Sequence, residues 1–252
     1  MSLLELKGVT KRFGGLVAVD HVDLVIHEGE RLGIVGTNGS GKTTLYNLIS
    51  GVYKCDEGRI VLEGLDITDM PPHKRAHLGM ARSFQIPRPF GQVTVRENVA
   101  IGALFGTMIG EVGESEALEI AEYYLEKVGL LEKRHEIANA LTPVEKKLME
   151  VARALAMKPR LVLLDEAMAG MNPKDIDHVV EIINRIHEEE KISIVSMVEH
   201  IMRAVVNFAE RVVVMNQGKK IADAPTQEAL NDQKVIDIYL GRFALEDQDV
   251  KD

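Results

Sequence analysis

A glycine-rich loop is the first stretch of the chain whose residues could do chemistry. Residues 36–43 read G-T-N-G-S-G-K-T, an apolar run over residues 32–35 precedes them, and residues 44–49 continue as a helix. Glycines let the backbone bend tightly and approach an anion without a Cβ in the way. Amide groups at a helix N-terminus point at such an anion with a favourable dipole. The order strand, glycine loop, helix therefore predicts a site for the phosphates of a nucleotide.

The residues of this loop have separate expected tasks. Lys42 supplies a mobile positive charge for the β- and γ-phosphates, and the Thr43 hydroxyl is placed to bind Mg²⁺. The other residues expected to surround the phosphates are Gly36, Asn38, Gly39, Ser40, Gly41 and Thr44. The full G-x-x-x-x-G-K-[ST] spacing argues against the alternative of a glycine-rich turn that binds nothing.

Two adjacent carboxylates end a second apolar segment. Residues 161–164 read L-V-L-L, which is typical of a strand buried on both faces, and Asp165 and Glu166 follow at once. One carboxylate beside a phosphate loop can hold Mg²⁺, and the next can polarise a water for attack on the γ-phosphate. Asp165 is therefore the predicted metal ligand and Glu166 the predicted general base. A solvated acidic pair without a role is the alternative.

Three single residues could complete a nucleotide site, although each is ordinary on its own. Phe13 lies in a turn between two β-rich segments and could stack on a purine ring. Gln85 ends a predicted strand beside a proline-rich segment and could reach a metal or a water. His200 follows another predicted strand and could contact a γ-phosphate. A packing phenylalanine, a loop glutamine and a surface histidine are the plain alternatives.

Hydrophobic periodicity indicates the elements that must position these residues. Residues 3–9 and 16–26 predict an antiparallel sheet ahead of the nucleotide core. Residues 114–128 predict an amphipathic helix with a solvated acidic face, and a second apolar stripe begins a helix at Thr142. The further predicted elements are a short helix opening at residue 71, strands over 80–90 and 192–198, a helix from Asn172 to about Glu190, a hairpin over 211–222 and a final helix over 226–240.

The predicted fold class is α/β, with a P-loop nucleotide-binding core, an N-terminal antiparallel β subdomain and an inserted α-helical subdomain. A single domain covers residues 1–252. Residues 1–86 and 159–224 form the core with the β subdomain, 87–158 the helical subdomain, and 225–252 a C-terminal helix and tail.

Composition bounds the function classes. The 252 residues are 46% hydrophobic, enough for a buried core, and the formal net charge of −9 argues against a protein that coats nucleic acid. The single cysteine, Cys55, cannot form an internal disulfide. The longest weakly polar run, residues 99–110, is too short to span a bilayer, and no signal segment is recognisable. We expect a cytoplasmic protein that reaches a membrane only by docking on other subunits.

In their order along the chain, these features resemble the ATP-binding subunits of ABC transporters. The resemblance rests on Phe13, GTNGSGKTT, Gln85, a helical insert, LVLLDE, Asn172-Pro173 and His200, and it covers nearly the whole chain. The segments ARSFQIPRPF, AGMNP, SMVEH and VIDIYLG look more particularly like the ATPases of importers for branched-chain or related hydrophobic amino acids.

The resemblance implies an ATP hydrolase that uses Mg²⁺ and powers a membrane permease. By position, the resemblance implies that Phe13 stacks on adenine and that Lys42, Thr43 and Thr44 serve phosphate and Mg²⁺. Asp165 would bind the metal, Glu166 would be the general base, and Gln85 would link Mg²⁺ or the attacking water to the transmembrane partner. Asn172 would hold a D-loop position, and His200 would contact the γ-phosphate. The family also implies two nucleotide domains closing head-to-tail over two ATP molecules, and a docking surface for the permease around residues 86–105. The protein would sit on the cytoplasmic face of the cell membrane, with no nucleic-acid partner.

One motif departs from the family pattern. Where the family has L-S-G-G-Q at the start of its signature helix, this chain has Leu141 followed by Thr142, Pro143, Val144 and Glu145. The family motif offers a hydroxyl and glycine N–H groups to the γ-phosphate on the opposite subunit. Thr142 keeps a hydroxyl, but Pro143 has no N–H and Glu145 brings negative charge. We expect a well-capped helix with a compromised phosphate contact, which suggests asymmetric pairing with a different ATPase.

Two other function classes are compatible with the sequence. A regulatory ATP-binding switch with little hydrolysis is favoured by the altered signature and opposed by Glu166 and His200. A soluble ABC protein that acts on DNA or ribosomes is opposed by the acidic balance and the lack of a basic tail. The transported solute cannot be read from the sequence, because an ATPase subunit does not touch it.

Overall fold

The architecture consists of two β-sheets and the helices that cover them. The structure, a computed structural model, describes residues 1–83, 89–106, 112–165, 171–197 and 202–237. The strands are β1 (Ser2–Phe13), β2 (Leu16–His27), β3 (Arg31–Gly36), β4 (Glu57–Leu62), β5 (Leu65–Asp66), β6 (Met80–Arg82), β7 (Leu161–Asp165), β8 (Ser193–Met197), β9 (Arg211–Asn216) and β10 (Lys219–Pro225). The helices are α1 (Lys42–Ile49), α2 (Pro72–His77), α3 (Val95–Phe105), α4 (Glu114–Lys127), α5 (Pro143–Ala156), α6 (Pro173–Glu190), α7 (Met202–Phe208) and α8 (Thr226–Asn231).

The larger sheet carries the predicted nucleotide site. Its strands run in the order β10-β9-β3-β8-β7-β6, and all neighbours are parallel except β9 and β10. Parallel strands present their carboxyl ends at one edge of a sheet, where ligands of such folds bind. The loop after β3 and the carboxylate that ends β7 therefore meet at the same edge.

The central strands are buried on both faces. On β7, Leu161 and Leu163 pack in one apolar cluster with α1 and the smaller sheet, whereas Val162 and Leu164 pack in a second cluster with helices on the opposite face. Successive strand side chains point to opposite faces, so a continuous apolar run fills both clusters. The prediction of a fully buried strand before Asp165 is confirmed.

The smaller sheet is antiparallel, as predicted for residues 3–9 and 16–26. Its order is β2-β1-β4-β5, so β1 is an inner strand held by β2 on one side and β4 on the other. The β1–β2 hairpin turns at residues 14–15, where Gly14 has a positive φ of 58°. Phe13 thus lies at the tip of the hairpin.

Among the residues that the structure describes between β6 and β7, three segments are α-helices. The predicted helices α4 and α5 are confirmed, and α3 is an addition that begins with a capping box between Thr94 and Glu97. The T-x-x-E spacing at these residues is the sequence signal that could have identified α3. Helices α3 and α5 cross closely: a Cβ added to Gly102 would lie 2.1 Å from the Arg153 carbonyl oxygen.

Two predicted boundaries are wrong, and α7 was not predicted. The final helix over 226–240 is interrupted, because Asp232 leaves the helical backbone and its carboxylate accepts a hydrogen bond from the Lys234 N–H at 2.8 Å. Aspartate competes with helical bonds in this way. The strand over 80–90 ends as β6 at Arg82, and residues 84–88 lie outside the described ranges. In the part of the chain that the structure describes, no helix meets the length and hydropathy needed to cross a bilayer.

Candidate nucleotide-binding site

The phosphate loop is shaped by glycines that no larger residue could replace. Gly36 ends β3 with a φ of 155°, and a Cβ there would lie 2.3 Å from the Met215 carbonyl oxygen. Gly41 has a φ of 102°, and its Cβ would lie 2.3 Å from the Ala18 carbonyl oxygen. The loop therefore needs both a left-handed backbone and the absence of a side chain at these two positions.

The N-terminus of α1 is left open by this loop. Gly41 is the N-cap residue, and no side chain caps the helix. The first amides of a helix have no intrahelical partner, and together with the helix dipole they form an anion site. Thr43, which the sequence predicts as a metal ligand, is exposed in this first turn, and Thr44 is half-buried beside it.

Lys42 is buried within the loop itself. Its Nζ donates to the carbonyl oxygens of Gly36 at 2.8 Å and Thr37 at 3.0 Å. These bonds hold the ammonium against the loop that is predicted to bind phosphate, and its role there stays a prediction. The Ser40 hydroxyl is also buried, and it has no hydrogen-bond partner within the described residues.

The loop is fastened to two neighbouring segments. The Gly218 N–H, in the turn between β9 and β10, donates to the Ser40 carbonyl at 2.9 Å, and the Asp20 N–H of β2 donates to the Gly218 carbonyl at 2.9 Å. These contacts place the β1–β2 hairpin against the phosphate loop. The hairpin that carries Phe13 is thereby linked to the phosphate loop through Gly218.

Phe13 is presented by a clamped hairpin tip. Its ring is 43% exposed and packs edge-on against Tyr53, with the ring centroids 5.4 Å apart. Asp56 holds the hairpin by accepting hydrogen bonds from the Lys11 ammonium at 2.8 Å and the Arg12 N–H at 2.6 Å. The Lys11 hydrogen bond keeps the pKa of the Asp56 carboxyl below its usual range. An exposed, oriented aromatic ring is suited to stacking on a purine.

Asp165 lies buried at the end of β7 with its two oxygens in different environments. Oδ2 accepts an ion pair and hydrogen bond from the Arg82 guanidinium, and the Asp165 N–H donates to the Ser83 hydroxyl at 3.2 Å. Oδ1 is buried and has no hydrogen-bond partner within the described residues. A buried carboxylate oxygen that lacks a partner costs free energy unless a cation or donor reaches it, so Asp165 fits the predicted role of Mg²⁺ ligand.

Arg82 is the residue of this site that the sequence analysis missed. Besides Asp165, its guanidinium donates to Asn47 Oδ1 at 2.7 Å and Ser50 Oγ at 2.8 Å, both near the C-terminus of α1. It also lies over the ring of Tyr46, 5.8 Å from the centroid. Burial, with the Asp165 charge adding to it, raises the pKa of the Tyr46 phenol well above its usual value.

Three predicted site residues, Gln85, Glu166 and His200, lie outside the described ranges. The strands that lead to them are described, and β6, β8 and β7 all end at the edge of the sheet that holds the phosphate loop. Asn172, the predicted D-loop residue, caps α6: its Oδ1 accepts from the N–H groups of Lys174 and Asp175, each at 3.0 Å. The roles of these residues stay predictions.

The altered signature forms a complete cap on α5, as predicted. Thr142 Oγ1 accepts from the Glu145 N–H at 3.3 Å, and the Glu145 carboxylate accepts from the Thr142 N–H at 2.9 Å. Lys133 pairs with the same carboxylate at 2.8 Å and keeps its pKa below the usual range. The negative charge of Glu145 is thus turned back on its own helix and balanced, which removes the electrostatic part of the expected repulsion.

A groove of about 840 Å³ lies between α2, α3 and α5. The residues that line it all follow the phosphate loop in sequence. Its apolar lining includes Phe90, Ile101, Leu104, Phe105 and Met157. The side chains of Phe90 and Phe105 are 52% and 70% exposed, which is unusual for large aromatic residues. This groove is referred to below as the α3 groove.

The parallel sheet, the glycine loop and the open helix end together define a P-loop nucleotide-binding protein. The comparison with protein families refines this class: residues 19–169 match the model described as ABC transporter. The chain belongs to the ABC transporter family, and it is an ATPase of that family.

Several relatives match over nearly their whole length. The chain is 36% identical to the high-affinity branched-chain amino acid transport ATP-binding protein BraF of Pseudomonas aeruginosa, over 95% of this chain and 98% of the relative. It is 34% identical to LivG of Escherichia coli strain K12, a protein of the same description, with the same coverage. Among solved structures, the ADP conformation of MJ1267, an ATP-binding cassette of an ABC transporter, matches with a TM-score of 0.86 and 32% identity over 96% of this chain and 99% of that one.

Proposed function

We propose that this ABC ATPase binds ATP with Mg²⁺ at the open N-terminus of α1 and that hydrolysis there powers an importer for branched-chain amino acids or a related small solute. The observation that carries the proposal is the uncapped helix end, with the Lys42 ammonium held over the loop. The solute class is supported by BraF and LivG, which are branched-chain amino acid transport ATP-binding proteins and resemble this chain over 95% of its length.

Within this proposal, each residue has a definite task. The loop amides and Lys42 bind and orient the β- and γ-phosphates, and Phe13 stacks on the adenine. Asp165 Oδ1 and the Thr43 hydroxyl, with Gln85, would hold Mg²⁺, which when bound neutralises developing charge on the phosphates. Glu166 accepts a proton from the attacking water, and His200 contacts the γ-phosphate.

The permease partner docks in the α3 groove. An apolar groove flanked by exposed aromatics suits a short amphipathic helical segment, and the relatives are ATP-binding proteins of transport systems. The expected docking surface, residues 86–105, overlaps this groove through Phe90, Ile101, Leu104 and Phe105. The protein would thereby work at the cytoplasmic face of the cell membrane.

The partner ATPase is expected to be a different chain. Pro143 lacks an N–H and Val144 carries a branched side chain where the family pattern has glycines, so the ATP site that uses this chain's signature is expected to hydrolyse slowly. A partner with an intact signature would complete the site that contains Lys42. The ATP-binding switch with little hydrolysis is not favoured, because the similar proteins are transport ATP-binding proteins.

Hydrolysis and uptake by reconstituted vesicles test the function. Vesicles that hold the candidate permeases, this chain and the candidate partner ATPase should take up leucine, isoleucine or valine with ATP, and the Glu166→Gln variant should take up none. The chain alone should hydrolyse ATP slowly, and partner addition should raise turnover. Brisk hydrolysis by the chain alone would contradict the asymmetric pairing, and ATP-driven uptake of only unrelated solutes would contradict the substrate class.

The α3 groove is tested by paired substitutions. Phe105→Ser should prevent the chain from co-purifying with the permease, because it removes an exposed apolar contact. Leu65→Ser is the matched control, since Leu65 on β5 is also a large exposed apolar residue, 48% exposed, and lies outside the groove. Equal co-purification of the two variants would show that the permease binds elsewhere.

A further inference from the structure

Arg82 joins the two halves of the nucleotide site. It ends β6, and its guanidinium is largely buried: the side chain is 11% exposed and that of its partner Asp165 is 5% exposed. One terminal nitrogen bonds Asp165 Oδ2, and the other bonds Asn47 Oδ1 at 2.7 Å and Ser50 Oγ at 2.8 Å. A single planar group therefore connects the end of β7 to the helix whose other end faces the phosphates.

The two carboxylate oxygens of Asp165 have different contacts. The guanidinium occupies Oδ2, and Oδ1 is left buried without a partner within the described residues. Removing one partner of a buried ion pair leaves an uncompensated charge and a side chain free to seek other donors. Arg82 thus keeps Asp165 in one orientation, with Oδ1 available to a cation.

We infer that Arg82 is a positioning residue for the metal: it fixes Asp165 relative to α1, so that Asp165 and Thr43 address the same Mg²⁺. This inference rests on the proposed role of Asp165. Residues that orient a metal ligand commonly change metal affinity by 10- to 100-fold when they are substituted. A lysine at this position keeps the positive charge but cannot reach Asp165 and α1 together, because it lacks the forked geometry of the guanidinium.

The test is the Mg²⁺ dependence of nucleotide binding by the purified full chain. A fluorescent ATP analogue is titrated in the presence of a chelator and then at increasing Mg²⁺. Arg82→Lys should need roughly tenfold more Mg²⁺ for half-maximal enhancement of binding, while its affinity for the analogue without Mg²⁺ stays within about twofold of the unsubstituted chain. Asn47→Ala, which removes one contact to α1 and leaves the Asp165 pair, should shift the Mg²⁺ requirement in the same direction by less.

The control is Arg160→Lys, which alters an arginine just before β7 that pairs with Glu28 and Glu63 on the surface. This variant should behave like the unsubstituted chain. An Arg82→Lys variant with an unchanged or lowered Mg²⁺ requirement would overturn the inference, and so would an equal loss of affinity with and without Mg²⁺, which indicates general damage to the fold. If binding by the unsubstituted chain is indifferent to Mg²⁺ and to Asp165→Asn, the proposed metal role fails instead.

Discussion

Two helix N-termini in this protein have the same intrinsic dipole, but one is open and the other is capped by side chains. The N-terminus of α1 follows a glycine loop and has no side-chain cap, whereas Thr142 and Glu145 close the N-terminus of α5 with a reciprocal pair of hydrogen bonds. An amide group that a side chain already satisfies has little left to offer a ligand. The phosphate site proposed at α1 therefore depends on the absence of a capping side chain as much as on the residues of the glycine loop.

Basic residues sharpen the same contrast. Lys42 at α1 donates to two loop carbonyls, whereas Lys133 at α5 neutralises the capping carboxylate. At α5 the positive charge therefore balances an internal anion, whereas at α1 it is the charge that we propose for the phosphates of ATP. The following substitutions test how completely the two ends are separated in function.

The largest effect is expected from Lys42→Ala. Loss of the ammonium should lower ATP hydrolysis by the assembled transporter about 10²- to 10³-fold, because charge developing on the phosphates loses a preorganised partner. The matched control is Lys146→Ala at α5, where the ammonium bonds the Asn139 carbonyl at 3.0 Å. A steady-state hydrolysis assay should show less than about a twofold change for this control. Comparable losses of ATP hydrolysis in the two variants would show that the N-termini of α1 and α5 do not differ in function.

Gly41→Ala should come next. The added Cβ meets the Ala18 carbonyl and forces a left-handed backbone on alanine, so the free energy of unfolding should fall by about 2–4 kcal/mol. Gly39→Ala is the control, because Gly39 has a φ of 75° but open space where an added Cβ would lie. Urea denaturation should show a loss of about 1 kcal/mol there. Equal losses would mean that backbone conformation, and not the close approach of β2, shapes the loop.

Thr142→Ala should have a smaller effect, on stability alone. Loss of the N-cap should lower the free energy of unfolding by about 1 kcal/mol, and Thr142→Ser should restore it. The affinity of the isolated chain for ATP should not change, since the cap belongs to α5 and not to the phosphate loop. A weakened ATP affinity in calorimetric titration would show that the two helix ends communicate within one chain.

The smallest effect concerns pH. The Lys133 hydrogen bond holds the pKa of the Glu145 carboxyl below its usual range. The charge of Glu145 therefore stabilises the fold above the unfolded-state pKa, and this stabilisation is lost as the pH falls through the folded-state pKa. Glu145→Gln should therefore be less stable than the unsubstituted chain at neutral pH by under about 1 kcal/mol. Thermal unfolding should show this difference in stability closing as the pH falls through the folded-state pKa of Glu145. A gap that is constant with pH would rule out the charge of Glu145 as its cause.

Local patterns were enough to predict much of this site. The glycine spacing of residues 36–43, the apolar run before Asp165 and the caps at Thr142 and Asn172 are signals within a few residues, and the structure confirms the corresponding elements. Arg82 escaped prediction because its partners are distant: Asn47 lies 35 residues away in sequence and Asp165 lies 83 away. The pairing of β6 with β7 brings Arg82 to Asp165, and the packing of α1 against β7 brings Asn47 to both.

The helices also show what local sequence patterns can and cannot predict. Periodicity predicted α4 to within one residue, because its apolar face is long and regular. The break at Asp232 was missed, since an aspartate that leaves the helix and one that remains in it look alike in a periodic pattern. Side chains that compete with the backbone for hydrogen bonds must be located in space before their effect is known.

The missing side chain at Gly102 has a mechanical consequence. Because the backbones of α3 and α5 touch there, with the Arg153 carbonyl where a Cβ would be, no compliant layer of side chains separates the two helices at that point. A load applied to α3 at the groove would reach α5 as a rigid displacement and would not be absorbed by side-chain rearrangement. The capped N-terminus of α5 would then move together with the α3 groove, because the two helices are in rigid contact at Gly102.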